Sequence, residues 1–419
     1  MKRAAVLLVL CLLLLVPELR AQGLKFEIHG NVREWSGMFV QSPAEMDLSE
    51  TRMKLELTSI AGSSAAFRAV SYYTYDGLTR SGVLELKEAY LDYYSSLVDL
   101  RFGKQIITWG KADELNPTDV LSPQNMTNIL EDKGIRKLGL VFLKSDWNLD
   151  VFTLSAIWKP EFEFTRVPPI DSRWAFFSIP GVSSLPAPVY PNRELKNTEW
   201  AFKLSRTIGR LDFTVSWFDG WDNIFTPELA FNPTTHQPQL NRLTFHRTRM
   251  LGGDFASAAG PVGFWGEGAY FFTEDKDGND PNIKNPYAQF VIGADYDLGE
   301  NLKVNVQYFQ EVITKTDNDA EQTAEEHIIS KLGLGLPLQQ AVSCRIEKKF
   351  GQGEAHKVEL MTLYDARHSG VMISPKLAYS PEDAFSVEVG GAFFSGRSES
   401  FYGRFVENHV VYVRGTYSF

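Results

Sequence analysis

Arg52-Met53-Lys54-Leu55-Glu56-Leu57-Thr58 is apolar at every second position. Met53, Leu55 and Leu57 share one face, while Arg52, Lys54, Glu56 and Thr58 share the other. Successive side chains of a strand point to opposite sides, so strict alternation marks a strand with one apolar and one polar face. The same pattern recurs along the chain. Leu211, Phe213, Val215 and Trp217 alternate with Asp212, Thr214 and Ser216. Leu302, Val304, Val306 and Tyr308 alternate with Lys303, Asn305 and Gln307. Trp200, Phe202 and Leu204 alternate with Glu199, Lys203 and Ser205, and Phe385, Val387 and Val389 with Ser386 and Glu388.

The spacing of these strands carries the next inference. Tight turns such as Ala61-Gly62-Ser63-Ser64, Ile208-Gly209-Arg210, Asp297-Leu298-Gly299-Glu300 and Ser380-Pro381-Glu382-Asp383 alternate with long connections. The long ones cover roughly 110–134, 159–195, 221–242, 274–284, 314–326 and 396–406. Short at one end and long at the other is the asymmetry of an outer-membrane β-barrel, with short periplasmic turns and long external loops. Closure follows from the solvent: an open edge in lipid would cost several kcal/mol for each unpaired backbone group. The polar positions then face a wetted lumen. Strands are expected to begin near 24, 48, 65, 83, 98, 135, 147, 196, 210, 243, 261, 285, 300, 327, 354, 370, 384 and 407. The expected fold is all-β, a transmembrane antiparallel barrel of about eighteen strands. Pro337 lies within 327–350, read as one long strand; a turn there instead widens the range to roughly sixteen to twenty.

Composition narrows the class. The chain has 419 residues, 42 Lys+Arg against 52 Asp+Glu, and a formal net charge of −10. A helical transporter needs many apolar runs of about 20 residues, and only one long apolar run exists, near the start. The 29 Phe, 16 Tyr and 9 Trp exclude a disordered chain, which would be poor in aromatics. The acidic balance excludes a general nucleic-acid binder, which needs a basic surface to release counterions. Met1-Lys2-Arg3 precedes a Leu-rich stretch over 4–16, Pro17 ends it, and Leu19-Arg20-Ala21 follows. This is the plan of a secretory signal peptide over 1–21, cut after Ala21, with the barrel domain over 22–419. Cys11 lies inside the apolar stretch, so a lipoprotein is not expected. Cys344 would be the one mature cysteine, which excludes an internal disulfide or a cysteine metal site.

The densest stretch is Leu100-Arg101-Phe102-Gly103-Lys104-Gln105-Ile106-Ile107-Thr108-Trp109-Gly110, running into Asn116-Pro117-Thr118-Asp119 and Ser122-Pro123. Asn-Pro-x-Asp favours a turn. Ser122-Pro123 reads as a helix cap and first position, which predicts a short helix over about 124–132. A long connection with its own turn and helix is packed rather than floppy. Folded into the pore, it would set Arg101, Gln105, Trp109, Lys111, Asn116, Asp119 and Arg136 at a constriction, where charge in a narrow lumen acts on a permeating solute. The plainer reading makes the motif a latch to the inner wall, and it is preferred for Trp109, Gly110 and Pro117. Lys104 shares parity with Leu100, Phe102 and Ile106 and so points toward lipid, at about 2–4 kcal/mol if mid-membrane. Either a bulge shifts the register or Lys104 sits near the periplasmic rim.

The run Arg-x-Gly-x-Gln-x-x-x-Trp-Gly over 101–110, followed by Asn-Pro-x-Asp over 116–119, resembles that of a broad family of porin-like outer-membrane barrels of mostly unassigned substrate. Leu86-Lys87-Glu88-Ala89-Tyr90-Leu91 fits the same pattern. The resemblance is strongest over roughly 84–145 and 355–419. A weaker similarity links the chain to alginate-type exopolysaccharide export porins. The final Val411-Tyr412-Val413-Arg414-Gly415-Thr416-Tyr417-Ser418-Phe419 resembles the terminal strand of bacterial outer-membrane proteins. That resemblance implies that Tyr417 and Phe419 form a signal read by the barrel assembly machinery. Together these imply the bacterial outer membrane as location, with its lipid, the assembly machinery and a small solute as partners.

Other chemistry finds little footing. The loop over 159–195 combines Pro160, Pro168, Pro169, Pro186 and Pro188 with Phe162, Phe164, Trp174 and Phe176. It reads as a rigid lid over the mouth in preference to a stacking site for a sugar. His368-Ser369 is an adjacent pair in a turn, and a catalytic triad is a matter of geometry rather than adjacency. Glu274-Asp275-Lys276-Asp277-Gly278-Asn279-Asp280 lacks the spacing of a calcium loop. The expected function is diffusion of small solutes through a water-filled, charge-lined lumen, with no catalysis, no metal and no cofactor. The alternatives are a plugged barrel acting as surface receptor, adhesin or scaffold, and an outer-membrane lipase-type enzyme. A homo-oligomer is compatible with the pattern.

Overall fold

The alternating segments become a continuous wall. The computed structural model describes residues 25–41, 45–176, 184–232, 237–280, 282–315 and 338–419. The expected signal peptide at 1–21 lies outside them, as do residues 327–337 of the expected long strand, Pro337 included. The first nine strands are β1 (Phe26–Phe39), β2 (Met46–Ala61), β3 (Ala65–Asp76), β4 (Ser81–Tyr93), β5 (Val98–Gln105), β6 (Leu140–Asn148), β7 (Thr153–Lys159), β8 (Glu199–Ile208) and β9 (Leu211–Trp221). A hairpin, β10 (Thr226–Asn232) and β11 (Gln237–Thr244), follows. The wall resumes with β12 (Arg247–Ala259), β13 (Val262–Phe272), β14 (Tyr287–Asp297), β15 (Leu302–Ile313), β16 (Gln340–Phe350), β17 (His356–Asp365), β18 (Gly370–Glu382), β19 (Phe385–Ser395) and β20 (Val410–Ser418). The hairpin forms a sheet of its own, and the other strands form one 18-stranded antiparallel sheet.

The sheet closes. β1 pairs with β2 on one side and β20 on the other, with Trp35 opposite Arg414 and Val32 opposite Tyr417. β9 pairs directly with β12, so the hairpin stands outside the wall. Tight turns at 62–64, 94–97, 149–152, 209–210, 260–261, 298–301, 351–355 and 383–384 occupy one end. The long connections 106–139, 160–198, 222–246, 273–286 and 396–409 start from the other, together with short ones at 40–45, 77–80 and 366–369. The outward positions keep the apolar side of the alternation. Leu55, Phe202, Val215, Phe290, Ile292, Val306, Val389 and Val413 are all exposed on the outer face. An apolar belt around a closed barrel is the surface that hydrocarbon wets. Val411, Val413 and Tyr417 share that outer face, and Phe419 exchanges both backbone hydrogen bonds with Gly30.

Three local expectations change. β6 and β7 start at Leu140 and Thr153, because 135–139 belongs to the preceding connection and 149–152 forms a turn. No helix forms over 124–132. The Ser122 hydroxyl accepts the N–H of Ile107 instead of capping, and Asn125 and Met126 donate to the carbonyls of Arg136 and Arg166 in extended backbone. A single helical turn, α1 (Lys133–Arg136), appears instead. Lys104 lies one residue from the outer end of β5, opposite Ala89 and Val141, and not at the 94–97 rim. The bulge falls on the neighbouring strand, where Val70 faces Glu88 and Ser71 faces Leu86, leaving Lys87 turned into the barrel.

Candidate functional site: a strap across the lumen

The connection 106–139 does not leave the barrel. It folds inward and crosses the lumen as a strap. Its first part packs on the inner wall of β6–β9, β12 and β13. Ile107, Trp109 and Leu121 of the strap meet Leu140, Phe142, Ile157, Ala201, Phe218, Met250, Ala269 and Phe271 of the wall, all buried. These wall residues occupy inward positions that a water-filled lumen would make polar. Burying an apolar side chain is worth about 1.5–3 kcal/mol, so this half of the lumen is a packed core.

The sequence motif fastens this core. Gly103 sits at φ +132, and a Cβ there would lie 2.4 Å from the Ala89 carbonyl oxygen. The Gln105 amide donates to the carbonyl oxygens of Phe142, at 3.2 Å, and Gly103. Trp109 is 2% exposed and donates its backbone N–H to Asp119. Gly110, at φ +90, leaves room for Glu267 of β13; a Cβ would come within 2.4 Å of that carboxylate. Glu267 then accepts the N–H groups of Lys111, Ala112 and Thr118 and the Thr118 hydroxyl, at 3.0, 3.2, 2.7 and 2.8 Å. Asn116 starts the expected turn, its carbonyl accepting the Asp119 N–H. Its side chain donates to Ala112 and accepts from Lys133. Asp119 pairs with Lys137 at 2.5 Å, and both are almost fully buried. Burial pulls Lys137 below the usual lysine range, against the attraction of Asp119.

The far end of the strap is tied to the opposite wall by charge. Glu131 accepts Arg33 of β1 at 2.6 and 2.9 Å and Arg52 of β2 at 2.7 Å. Glu50 bridges the same two arginines at 2.7 and 2.9 Å. Burial alone would raise the Glu131 carboxyl, but hydrogen bonds and charge from Arg33, with Arg52 behind, hold it at about 2. Lys87 donates to the Ile135 carbonyl at 2.7 Å, and Arg414 of β20 reaches Asp132 at 3.3 Å. Midway, Arg345 of β16 holds Asp113 and Glu114 at 2.7 and 2.8 Å, and Gln307 of β15 accepts the Asp113 N–H.

Between the strap and β16–β20 lies a cavity of about 630 Å³. Its wall carries paired charges: Lys357 with Glu347 and Glu359, Lys376 with Glu359, and Arg414 with Glu388. Toward the mouth the lining turns apolar, with Met361, Leu363, Met372, Phe401 and Tyr402. Above it, the external connections pack on one another: Phe162 on Phe245 at 4.7 Å between ring centres, Phe164 on Phe225, and Trp174 on Phe405. The Trp174 indole donates to Asp47 at 2.8 Å.

The predicted pore residues are thus dispersed. Arg101 is on the wall near the 94–97 turn, bound to Asp92 at 2.6 Å and stacked on Tyr90. Gln105, at the end of β5, and Trp109, in the strap, are buried between strap and wall. The Lys111 side chain is exposed. Asn116, Asp119 and Arg136 line the cavity. Glu267, Glu131, Arg33, Arg52 and Lys87 escape sequence reasoning because their partners are remote: Glu267 lies 149 positions from Thr118. A signal existed in unbroken apolar runs such as Leu140-Val141-Phe142-Leu143 and Ala269-Tyr270-Phe271-Phe272, which mark strands apolar on both faces, one toward the belt and one toward packed chain. At the 366–369 turn, Asp365 accepts the N–H groups of Arg367 and His368. No hydrogen bond joins Ser369 to His368 among the described residues. Asp275 in the acidic connection caps its own loop through Gly278 and Asp280.

No family model and no curated protein matches the sequence. Among solved structures, the chain is similar to OmpT, an outer membrane protein of Vibrio cholerae, in a form lacking loop L8. The identity is 12% and the TM-score 0.43, covering 95% of this chain and 100% of that one. It is also similar to a porin of Rh. blastica at 11% identity and TM-score 0.43, covering 94% and 100%. OmpF of Salmonella typhi, solved with daunomycin, gives 11% and 0.44, covering 95% and 98%. At this level of likeness nothing about solute or mechanism carries over.

Proposed function

We propose that this chain is an outer-membrane channel for small solutes, narrowed by the 106–139 strap to a cleft along β16–β20. One observation supports the reading above the rest: the strap crosses the lumen on named contacts and leaves a charge-lined cavity beside it. Size exclusion would come from the strap and charge selection from Arg345, Lys357, Glu359, Lys376, Glu388 and Arg414, since paired charges in a narrow pore still shape the local field. The role is passive and non-catalytic. A second reading, a plugged barrel serving as receptor or scaffold, draws on the apolar packing inside the lumen and at the mouth. Planar-bilayer recording of the full chain separates them. The channel reading expects discrete single-channel steps. Their absence with heat-modifiable, folded protein would reject it in favour of the plugged barrel.

A further inference from the structure

Two adjacent cations in the cavity, Arg136 and Lys133, differ from their neighbours, and Arg136 differs most. Arg345, Lys357, Lys376 and Arg414 on the wall each touch carboxylates, and Lys137 on the strap pairs with Asp119. Arg136, at the end of α1, touches none among the described residues. Its Nη1 approaches only the Met126 sulfur, at 3.5 Å, and its Nε is buried without an acceptor. Beside it, Lys133 gives its donors to neutral oxygens: the carbonyls of Asp113 and Glu114 and the Asn116 side chain. The nearby carboxylates are already engaged, Glu114 with Arg345, Glu131 with Arg33 and Arg52, and Asp132 with Arg414. The cavity that Arg136 lines also has an apolar part that includes Met361, Leu363, Met372 and Phe401.

Buried donors are nearly always satisfied in folded proteins, and a guanidinium presents a planar fork that matches a carboxylate. We propose that Arg136 is the recognition group for an organic anion with an apolar body, its carboxylate on the guanidinium and its body against Met126, Met361 and Met372. This names the solute class of the channel proposed above and rests on that reading. Methionine side chains adapt their shape to varied apolar ligands, so the site selects charge at one end and apolarity at the other rather than one molecule.

Calorimetry on the refolded full chain in detergent tests the site with 3-phenylpropionate and its neutral amide, 3-phenylpropionamide. The acid is expected to bind about tenfold or more tightly than the amide. R136Q is expected to bring the two within about twofold, and R136K to retain an intermediate preference. Equal binding of acid and amide, no binding of the acid, or an unchanged preference in R136Q and R136K would overturn the proposal. Bilayer recording of the wild-type chain keeps the two ideas apart. Channel steps without acid preference would discard this site alone, and acid preference without steps would discard the channel alone.

Discussion

The two halves of the inner wall are built from the same alternation and end in opposite states. On β6–β9, β12 and β13 the inward positions include Leu140, Phe142, Ile157, Ala201, Phe218, Met250 and Phe271, sealed under the strap with a few buried, paired polar groups such as Glu267 and Lys159–Glu199 among them. On β16–β20 they include Arg345, Lys357, Glu359, Lys376, Glu388 and Arg414, facing the cavity, and turn apolar only toward the mouth. Both halves turn apolar side chains outward to the belt. The inward face therefore records what each strand meets inside the barrel: packed chain in one half, a charged cleft in the other. An outer face that must be apolar leaves the inner face free to differ.

The contrast breaks most sharply if the packed half is opened. Phe142→Ala removes a fully buried ring between strap and wall, a change that costs about 3–5 kcal/mol in a packed core. It is expected to loosen the strap, seen as faster proteolysis within 106–139 and larger conductance; unchanged protection would deny that this half is a core. Next in size is Glu267→Ala. It strands three backbone N–H groups and a hydroxyl, but removing the buried carboxylate returns its desolvation cost and water fills the space left, so the net loss is about 1–3 kcal/mol. Conductance and proteolysis should shift in the same direction as for Phe142→Ala, by less.

Acid probes the anchor on the other side. The folded Glu131 carboxyl lies at about 2, below its ordinary 4.5. A depressed carboxyl stabilises the fold above its ordinary value and loses that contribution as pH falls through the folded one. The β1–β2 anchor is expected to hold at pH 5, weaken between 4.5 and about 2, and be released below. Conductance followed across that window should rise toward acid, and Glu131→Gln should remove the step. The smallest effect belongs to the cavity wall. Lys376→Gln is expected to leave stability within about 0.5 kcal/mol while moving the reversal potential toward cation preference. A change in stability without a change in selectivity would exchange the roles of the two halves.

Sequence reasoning reaches the wall and stops at the strap. Alternation is local, so Met53, Leu55 and Leu57 declare their face without outside help, and the strand starts fall within a few residues of those expected, except where 135–139 and 149–152 joined connections and at 327, which lies outside the described residues while β16 begins at Gln340. The motif at 101–119 announced a packed connection, and its glycines marked close approaches. What it met could not be read, because Glu267, Arg33 and Arg52 arrive from strands far along the chain. The expected helix at 124–132 failed for a related reason. Ser122 reads locally as a cap, but its hydroxyl serves Ile107, a contact that exists only once the strap has folded back.

In the proposed channel, the strap is fastened at both walls and narrows the lumen. Single-channel recording of the wild type beside the double variant Glu267→Ala/Glu131→Ala, each verified as a folded, heat-modifiable barrel, tests it most directly. The account expects a clearly larger step in the double variant than in the wild type. Equal steps from two folded barrels would contradict it.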